Sequence, residues 1–337
     1  MTAAAAASPT KAVPPLSAPG AAAPAARDAA GRDGGGDGGS SGHRPLLLAV
    51  QNLWKIYARH HRRIDVRDPE AVARAESQGA VVAVRDATLR VRRGEIFVVM
   101  GLSGSGKSTL VRCLLRLVEP TAGRILVDGE DVTAMDARQL TAFRRHKVAM
   151  VFQHYGLLPH RTVLENVAFG LRLRGEPRSV QLDRAREALA RVGLERWADR
   201  YPAALSGGMR QRVGIARALA RDADLLLMDE PFSGLDPLIR RELQDELLRL
   251  QAELHKTIVF ITHDLQEALR LGDRLAIMRA GRIVQVGRPR EIIQHPADDY
   301  VRRFVQDVRE AAALAGGALR ALARDPAGAE GGSGLVP

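Results

Sequence analysis

The stretch "EIFVVMGLSGSGKSTLVRCLLRLV", residues 95–118, decides the fold. It opens with a continuous apolar run, the pattern of a strand buried on both faces. It closes with Leu110, Val111, Leu114, Leu115 and Val118 on one stripe of a helix, and Cys113 off that stripe as small filler. Between the two, Gly101, Gly106, Lys107 and Ser108 match G-x-x-x-x-G-K-[ST]. Glycines there let backbone N–H groups close around a phosphate. Lys107 reaches the β- and γ-phosphates of a nucleotide, and the Ser108 hydroxyl is a ligand for Mg²⁺. Strand, glycine loop and helix in that order make residues 101–109 a phosphate-binding loop, with Ser103, Gly104, Ser105 and Thr109 among its members.

Outward from this loop the chain alternates. "KVAMVFQ" (147–153), "DLLLMDE" (224–230), "TIVFITH" (257–263) and "RLAIMRAGRIVQVG" (274–287) read as strands with helical sequence between them. Buried strands alternating with helices predict an α/β fold with a largely parallel sheet. "LLLAVQNLWKIY" (46–57) reads as a long strand or a strand pair. "AVVAVRDATLRVRRG" (80–94) alternates and then turns at Arg93-Gly94, and "GRILVDGEDVT" (123–133) is a hairpin turning at Asp128-Gly129. Residues 58–79 are polar and look like an insertion. From about residue 156 to between 204 and 212, sequence such as "VQLDRAREALARVGL" interrupts the alternation and reads as an inserted helical subdomain.

The ordered domain is expected over residues 46–307. Residues 1–43 are nearly all Ala, Pro, Gly, Ser and Asp, too poor in bulky apolar groups to order themselves. Residues 308–337 are a similar tail, Ala-rich and helical at first. A single cysteine excludes an internal disulfide, and no run approaches the 18 apolar residues of a membrane span. The net charge of +11 suggests an anionic partner, but 45 arginines against five lysines are scattered over every segment. With no basic stripe interleaved with aromatics, no nucleic-acid partner is expected.

Asp229 and Glu230 end an apolar strand, where ligands of open α/β sheets bind. An isolated acidic pair would be a solvated strand end. Downstream of a phosphate loop, Asp229 becomes a Mg²⁺ ligand and Glu230 a general base for an attacking water. Gln153 and His263 also end strands; alone, each is as well explained as structural. "LSGGMRQRVGIARALA" (205–220) supplies a second helix start suited to an anion, in a chain with one phosphate loop.

Taken in order, "GLSGSGKST", "VFQ", "LSGGMRQR", "LLLMDEPFSGLD" and "ITHD" resemble the ATP-binding cassette (ABC) ATPases over about residues 46–305. The resemblance implies a P-loop NTPase, RecA-like core with an antiparallel β subdomain and the inserted helical subdomain. It implies ATP and Mg²⁺ as ligands, and a head-to-tail dimer of two copies in which Ser206, Gly207 and Gly208 contact the ATP held by the partner. It further implies Gln153 as a contact to Mg²⁺ and the attacking water, Asp236 as a residue communicating across the dimer, and His263 as a γ-phosphate switch. Tyr57 takes the role of the aromatic that stacks on adenine, with Trp54 as its rival because the insertion 58–79 separates Tyr57 from the loop.

Residues 97–129, 150–170 and 232–251 resemble in particular the ATPases of glycine betaine/proline, or quaternary-amine, uptake systems. That implies a peripheral subunit at the cytoplasmic face of the cell membrane, working with an integral permease and, indirectly, an extracytoplasmic solute-binding protein. Many members continue into paired CBS domains; none is expected in residues 308–337, which puts CBS-mediated control of transport in doubt. Two rivals stand beside this reading. One is an importer ATPase for nitrate, taurine or a sulfonate. The other is a soluble cassette acting on ribosomes or DNA, disfavoured by a single cassette with about 99 residues between Lys107 and Ser206.

Overall fold

The structure, a computed structural model, describes residues 44–58, 64–153 and 155–314. The expectations for residues 1–43 and 315–337 lie outside the described residues. Two sheets organise the rest. In the first, β1 (Leu46–Tyr57), β2 (Val81–Arg92), β4 (Ala122–Val127) and β5 (Glu130–Asp131) pair antiparallel in the order β2-β1-β4-β5. In the second, β3 (Ile96–Met100), β6 (Val148–Val151), β7 (Leu225–Asp229), β8 (Thr257–Thr262), β9 (Arg274–Arg279) and β10 (Arg282–Gly287) follow the order β10-β9-β3-β8-β7-β6. All neighbours there are parallel except the β9–β10 hairpin at the edge.

The helices are α1 (Pro69–Ser77), α2 (Lys107–Leu114), α3 (Ala137–His146), α4 (Val163–Leu173), α5 (Arg178–Arg191), α6 (Gly207–Ala220), α7 (Pro237–Leu254), α8 (Leu265–Leu271), α9 (Pro289–Gln294) and α10 (Asp299–Leu314). Helices α4, α5 and α6 pack on one another and form the helical block between β6 and β7. Capping boxes start α3 at Asp136 with Gln139 and α4 at Thr162 with Glu165.

The parallel strands are apolar along their middles because each feeds two cores. Ile96, Val98 and Met100 of β3 join the cluster under the helical block, while Phe97 and Val99 join the cluster under the antiparallel sheet. β7 and β8 divide their side chains in the same way, Leu226 and Phe260 to one side, Leu227 and Val259 to the other. Alternation of side chains across a pleated strand makes this division automatic.

The structure corrects several sequence readings. Residues 46–57 form one strand, irregular in register at several places. The turn expected at Arg93-Gly94 is present, and it carries the chain from β2 in one sheet to β3 in the other. The polar insertion 58–79 contains α1, capped by Asp68 and anchored by buried Val72; residues 59–63 lie outside the described residues. Helix α2 stops at Leu114, with Arg116 left-handed at φ 48°, so Val118 lies beyond the helix and is only partly buried. Cys113 is not off the buried surface: it is fully buried with Leu110 and Val111. The reason is that α2 is wedged between β2 and β7 and buries more than one stripe. Burial in that apolar setting pushes the Cys113 thiol up to about 12, which suits a filler and not a nucleophile.

Candidate functional site

The glycine loop runs from the end of β3 into the first turn of α2, and the fold demands its glycines from behind. A Cβ on Gly101 would sit 2.2 Å from the Met278 carbonyl oxygen of β9. A Cβ on Gly106, which is left-handed at φ 103°, would sit 2.1 Å from the Ala83 carbonyl oxygen of β2. Backbone at that distance cannot yield, so only glycine fits at these two positions of the loop. Lys107 is 4% exposed. Its ammonium donates to the Gly101 carbonyl at 2.8 Å and the Leu102 carbonyl at 3.0 Å. Burial pulls its pKa down from the ordinary lysine value, partly offset by Glu230 and Asp229.

Glu230 links this lysine to His263, and a separate pair joins Ser108 to Asp229. Glu230 Oε1 lies 3.8 Å from Lys107 Nζ, and the other carboxylate oxygen lies 3.0 Å from His263 Nδ1. Ser108 Oγ donates to Asp229 Oδ1 at 2.9 Å. Burial pushes the Asp229 carboxyl up from the ordinary aspartate value, and the Ser108 hydroxyl pulls it back. Glu230 sits in left-handed backbone, φ 44°, an unfavourable place for a side-chain residue. It is held there from both sides: its N–H donates to the Ile261 carbonyl, while Ser233 donates to its carbonyl from both N–H and hydroxyl.

These residues fit a nucleotide and a divalent cation. Ser105 Oγ is buried in the loop with no hydrogen-bond partner, a polar atom in need of one. Gly104 faces open space. Ser108 and Asp229 offer hard oxygen ligands, and no cluster of three or more acidic, His or Cys side chains suited to a metal occurs among the described residues. Such a sparse set suits Mg²⁺, which keeps waters and substrate phosphates as its other ligands. Gln153 is exposed on the turn after β6 and makes no hydrogen bond to Ser108, Asp229 or Glu230 among the described residues. Ser103 and Thr109 stay at the loop and the first turn of α2.

Tyr57 is the last residue of β1 and pairs with Val81 at the start of β2. The insertion is therefore pinched closed at its base, and its length does not carry Tyr57 away from the loop; Ala83, two residues along β2, abuts Gly106. Tyr57 is 44% exposed, with Lys55 Nζ 4.8 Å from its ring centre. Trp54 pairs toward β4 and has Arg85 against its ring. Tyr57→Ala is expected to weaken ATP and GTP binding alike, by about 1–3 kcal/mol, since stacking reads a ring face and not a base edge. Titration of both variants checks this; weakening by Trp54→Ala with Tyr57→Ala unaffected would select the other aromatic.

Ser206 is the N-cap of α6, and its hydroxyl accepts from the Met209 N–H at 3.3 Å. The amides of Gly207 and Gly208 belong to the first turn, where the helix provides no acceptor. This start packs against the segment around Asp236: a Cβ on Gly207 would meet Leu235 at 3.3 Å, and one on Gly208 would meet Ile239 at 2.6 Å. Asp236 is exposed and is the N-cap residue of α7, but its side chain makes no capping hydrogen bond. Ser206 is thus grouped with Asp236, while Lys107, Ser108, Asp229, Glu230 and His263 form a separate group. Arg240 was not singled out in the sequence. It donates to the Leu235 carbonyl at 3.4 Å and pairs with Asp264 at 3.1 Å, tying the Asp236 segment to the residue after His263. Its position four residues after Asp236, on one helix face, was the only available signal.

Comparison with known proteins identifies the family. A family model described as ABC transporter matches residues 84–233. The glycine betaine/proline betaine transport system ATP-binding protein ProV of Salmonella typhimurium is 54% identical over 264 residues, covering 77% of this chain and 66% of ProV. The chain thus spans just under two thirds of that relative's length. The trimethylamine N-oxide transport system ATP-binding protein TmoW of Ruegeria pomeroyi is 49% identical, with 81% of each chain covered. Among solved structures, the dimeric ATP-binding cassette MJ0796 in a post-hydrolysis state with ADP and phosphate superposes with a TM-score of 0.62 at 32% identity, over 72% of this chain and 99% of that one. The chain is therefore, by these likenesses, a P-loop ATPase cassette, and it belongs to the ATP-binding proteins of the ABC transporter family.

Proposed function

We propose that the chain is the ATP-hydrolysing subunit of an importer for a compatible solute such as glycine betaine, proline or choline. The observation that carries the reading is the convergence of Lys107, Glu230 and His263 beside the Ser108–Asp229 pair. Loop amides and Lys107 hold the β- and γ-phosphates of ATP. Glu230 takes a proton from a water as that oxygen bonds to the γ-phosphorus, and the β–γ bridging P–O bond breaks to leave ADP and phosphate. His263 orients Glu230 and the γ-phosphate. Mg²⁺, held by Ser108 and Asp229 and reached by Gln153, would neutralise charge on the phosphates.

The head-to-tail dimer has support from two exposed apolar residues. Leu102 in the phosphate loop is 57% exposed and Leu238, two residues after Asp236, is 70% exposed. A second copy placing Ser206–Gly208 over the loop covers such residues and supplies the amides of α6 to the γ-phosphate. The structural relative is itself dimeric. We assign the cassette to residues 46–307, the extension to 1–43 and the tail to 308–337.

No helix among the described residues is long and apolar enough to cross a membrane. In this reading a separate permease carries the solute path, an extracytoplasmic binding protein delivers the solute, and the chain docks peripherally at the cytoplasmic face. The relatives' cargoes, glycine betaine, proline betaine and trimethylamine N-oxide, share a methylated cationic nitrogen, which supports the quaternary-amine class. Uptake by cells expressing the chain with its cognate permease and binding protein tests the cargo. Radiolabelled glycine betaine should accumulate and unlabelled choline or proline should compete. Uptake of nitrate or taurine instead would move the chain to the rival importer class.

A further inference from the structure

One face of α6 is committed to the segment that follows Gln153. Four positions spaced 3, 4 and 3 residues apart make up that face: Gly207, Arg210, Gly214 and Arg217. At 3.6 residues per turn they share a face about 80° wide and about 15 Å long. All four meet Tyr155 or Gly156. The Tyr155 hydroxyl lies 3.4 Å from where a Cβ on Gly207 would be. The Arg210 guanidinium lies 5.6 Å from the Tyr155 ring centre. A Cβ on Gly214 would sit 3.9 Å from the Tyr155 carbonyl oxygen. Arg217 donates to that carbonyl at 2.7 Å and to the Gly156 carbonyl at 2.5 Å.

The grip is strained, which argues that it does something. Tyr155 and Gly156 are both left-handed, at φ 59° and 56°, and Tyr155 lacks the freedom of a glycine there. Among the described residues Arg217 has no carboxylate partner: burial alone pulls its pKa down, and two backbone carbonyls receive its fork. A planar guanidinium that reaches two consecutive carbonyls fixes the peptide plane between them, as a lysine ammonium cannot.

We propose that Arg217 is a positioning residue that clamps the Tyr155–Gly156 segment to α6, so that Gln153 and the Ser206–Gly208 helix start move as one body. The inference rests on the ATPase reading above, in which Gln153 serves the chain's own ATP and Ser206 serves the partner's. The clamp then makes the occupancy of one site felt at the other through a single helix.

A double-mutant cycle in the dimer tests it. Arg217→Lys should leave ATP affinity within about twofold while kcat falls about tenfold. Gln153→Ala should lower kcat, and adding Arg217→Lys to it should cost nothing further, because the clamp acts through Gln153. Gly156→Ala attacks the same contact from the opposite side. A methyl there would meet Phe152 at 3.4 Å and Arg217 at 3.5 Å, ordinary contact distances, but the left-handed backbone disfavours it, and it should reproduce the kcat loss and the same non-additivity without changing a residue of α6. If Arg217→Lys does not fold, Gly156→Ala carries the test. Losses that multiply in the double variants would overturn the clamp alone. Parent-like kcat in both Arg217→Lys and Gly156→Ala would do the same. A parent-like Gln153→Ala enzyme would overturn the role of Gln153 and the clamp with it.

Discussion

Glu230→Gln should bind ATP and hydrolyse it about 10² to 10⁴ times more slowly, the contribution expected of a general base. The substitution keeps the shape of the side chain and removes its charge. Three observations say what that charge does. One carboxylate oxygen faces Lys107 at 3.8 Å and the other faces His263 at 3.0 Å, so the group is aimed by two neighbours. The backbone at Glu230 is left-handed and pinned by Ile261 and Ser233, and a glutamine tolerates that conformation no worse than a glutamate. The fold should therefore survive, and affinity should hold or rise because a negative charge beside the γ-phosphate has gone. Without hydrolysis to reopen it, the ATP-bound dimer should accumulate. Nucleotide titration, phosphate release and size-exclusion chromatography with ATP check the three parts. Turnover near the parent rate would assign the base elsewhere, with His263 next in line.

Ser206→Arg should abolish hydrolysis while leaving ATP binding by isolated monomers intact. Within one chain the Ser206 helix start packs with Leu235 and Ile239 and not with Lys107 or Ser108, so a change there has no direct route to the chain's own nucleotide. The arginine loses the cap to the Met209 N–H, which costs about 1 kcal/mol of helix stability, and its bulk blocks approach of a phosphate to the first turn. Lys107→Ala should fail in the opposite way: it removes a charge-assisted contact and with it useful ATP binding. Mixing the two variants separates the sites. In a mixed dimer one composite site carries both changes and the other carries neither, so hydrolysis should return relative to either variant alone. Loss of ATP binding by Ser206→Arg monomers would mean that the serine serves its own chain's nucleotide, and the head-to-tail dimer with shared ATP sites would be wrong.

What the sequence could show was local. Residues 95–118 read as strand, loop and helix because the apolar run, the glycines and the stripe are contiguous, and each is dictated by backbone geometry over a few residues. The continuous apolar strands announced a sheet buried on both faces before any partner strand was known. Asp229 and Glu230 stood out because they end such a strand, and Ser206 because it starts a helix.

Tertiary structure decided what depends on several elements meeting. Nothing near residue 113 shows that α2 is wedged between two sheets, so Cys113 was misplaced. The insertion 58–79 separates Tyr57 from the loop along the chain, but the Tyr57–Val81 pair closes it in space. Ser108 meets Asp229 across 121 residues and Glu230 meets His263 across 33, distances over which side-chain patterns carry no signal. Arg240 and Arg217 donate to backbone carbonyls, which every residue has, so their partners leave no mark on composition or spacing. Sequence thus determined which groups are candidates for the chemistry, because that chemistry needs groups of particular types. Only the packed fold decided how they are aimed at one another, because aim is set by long-range contacts between backbones.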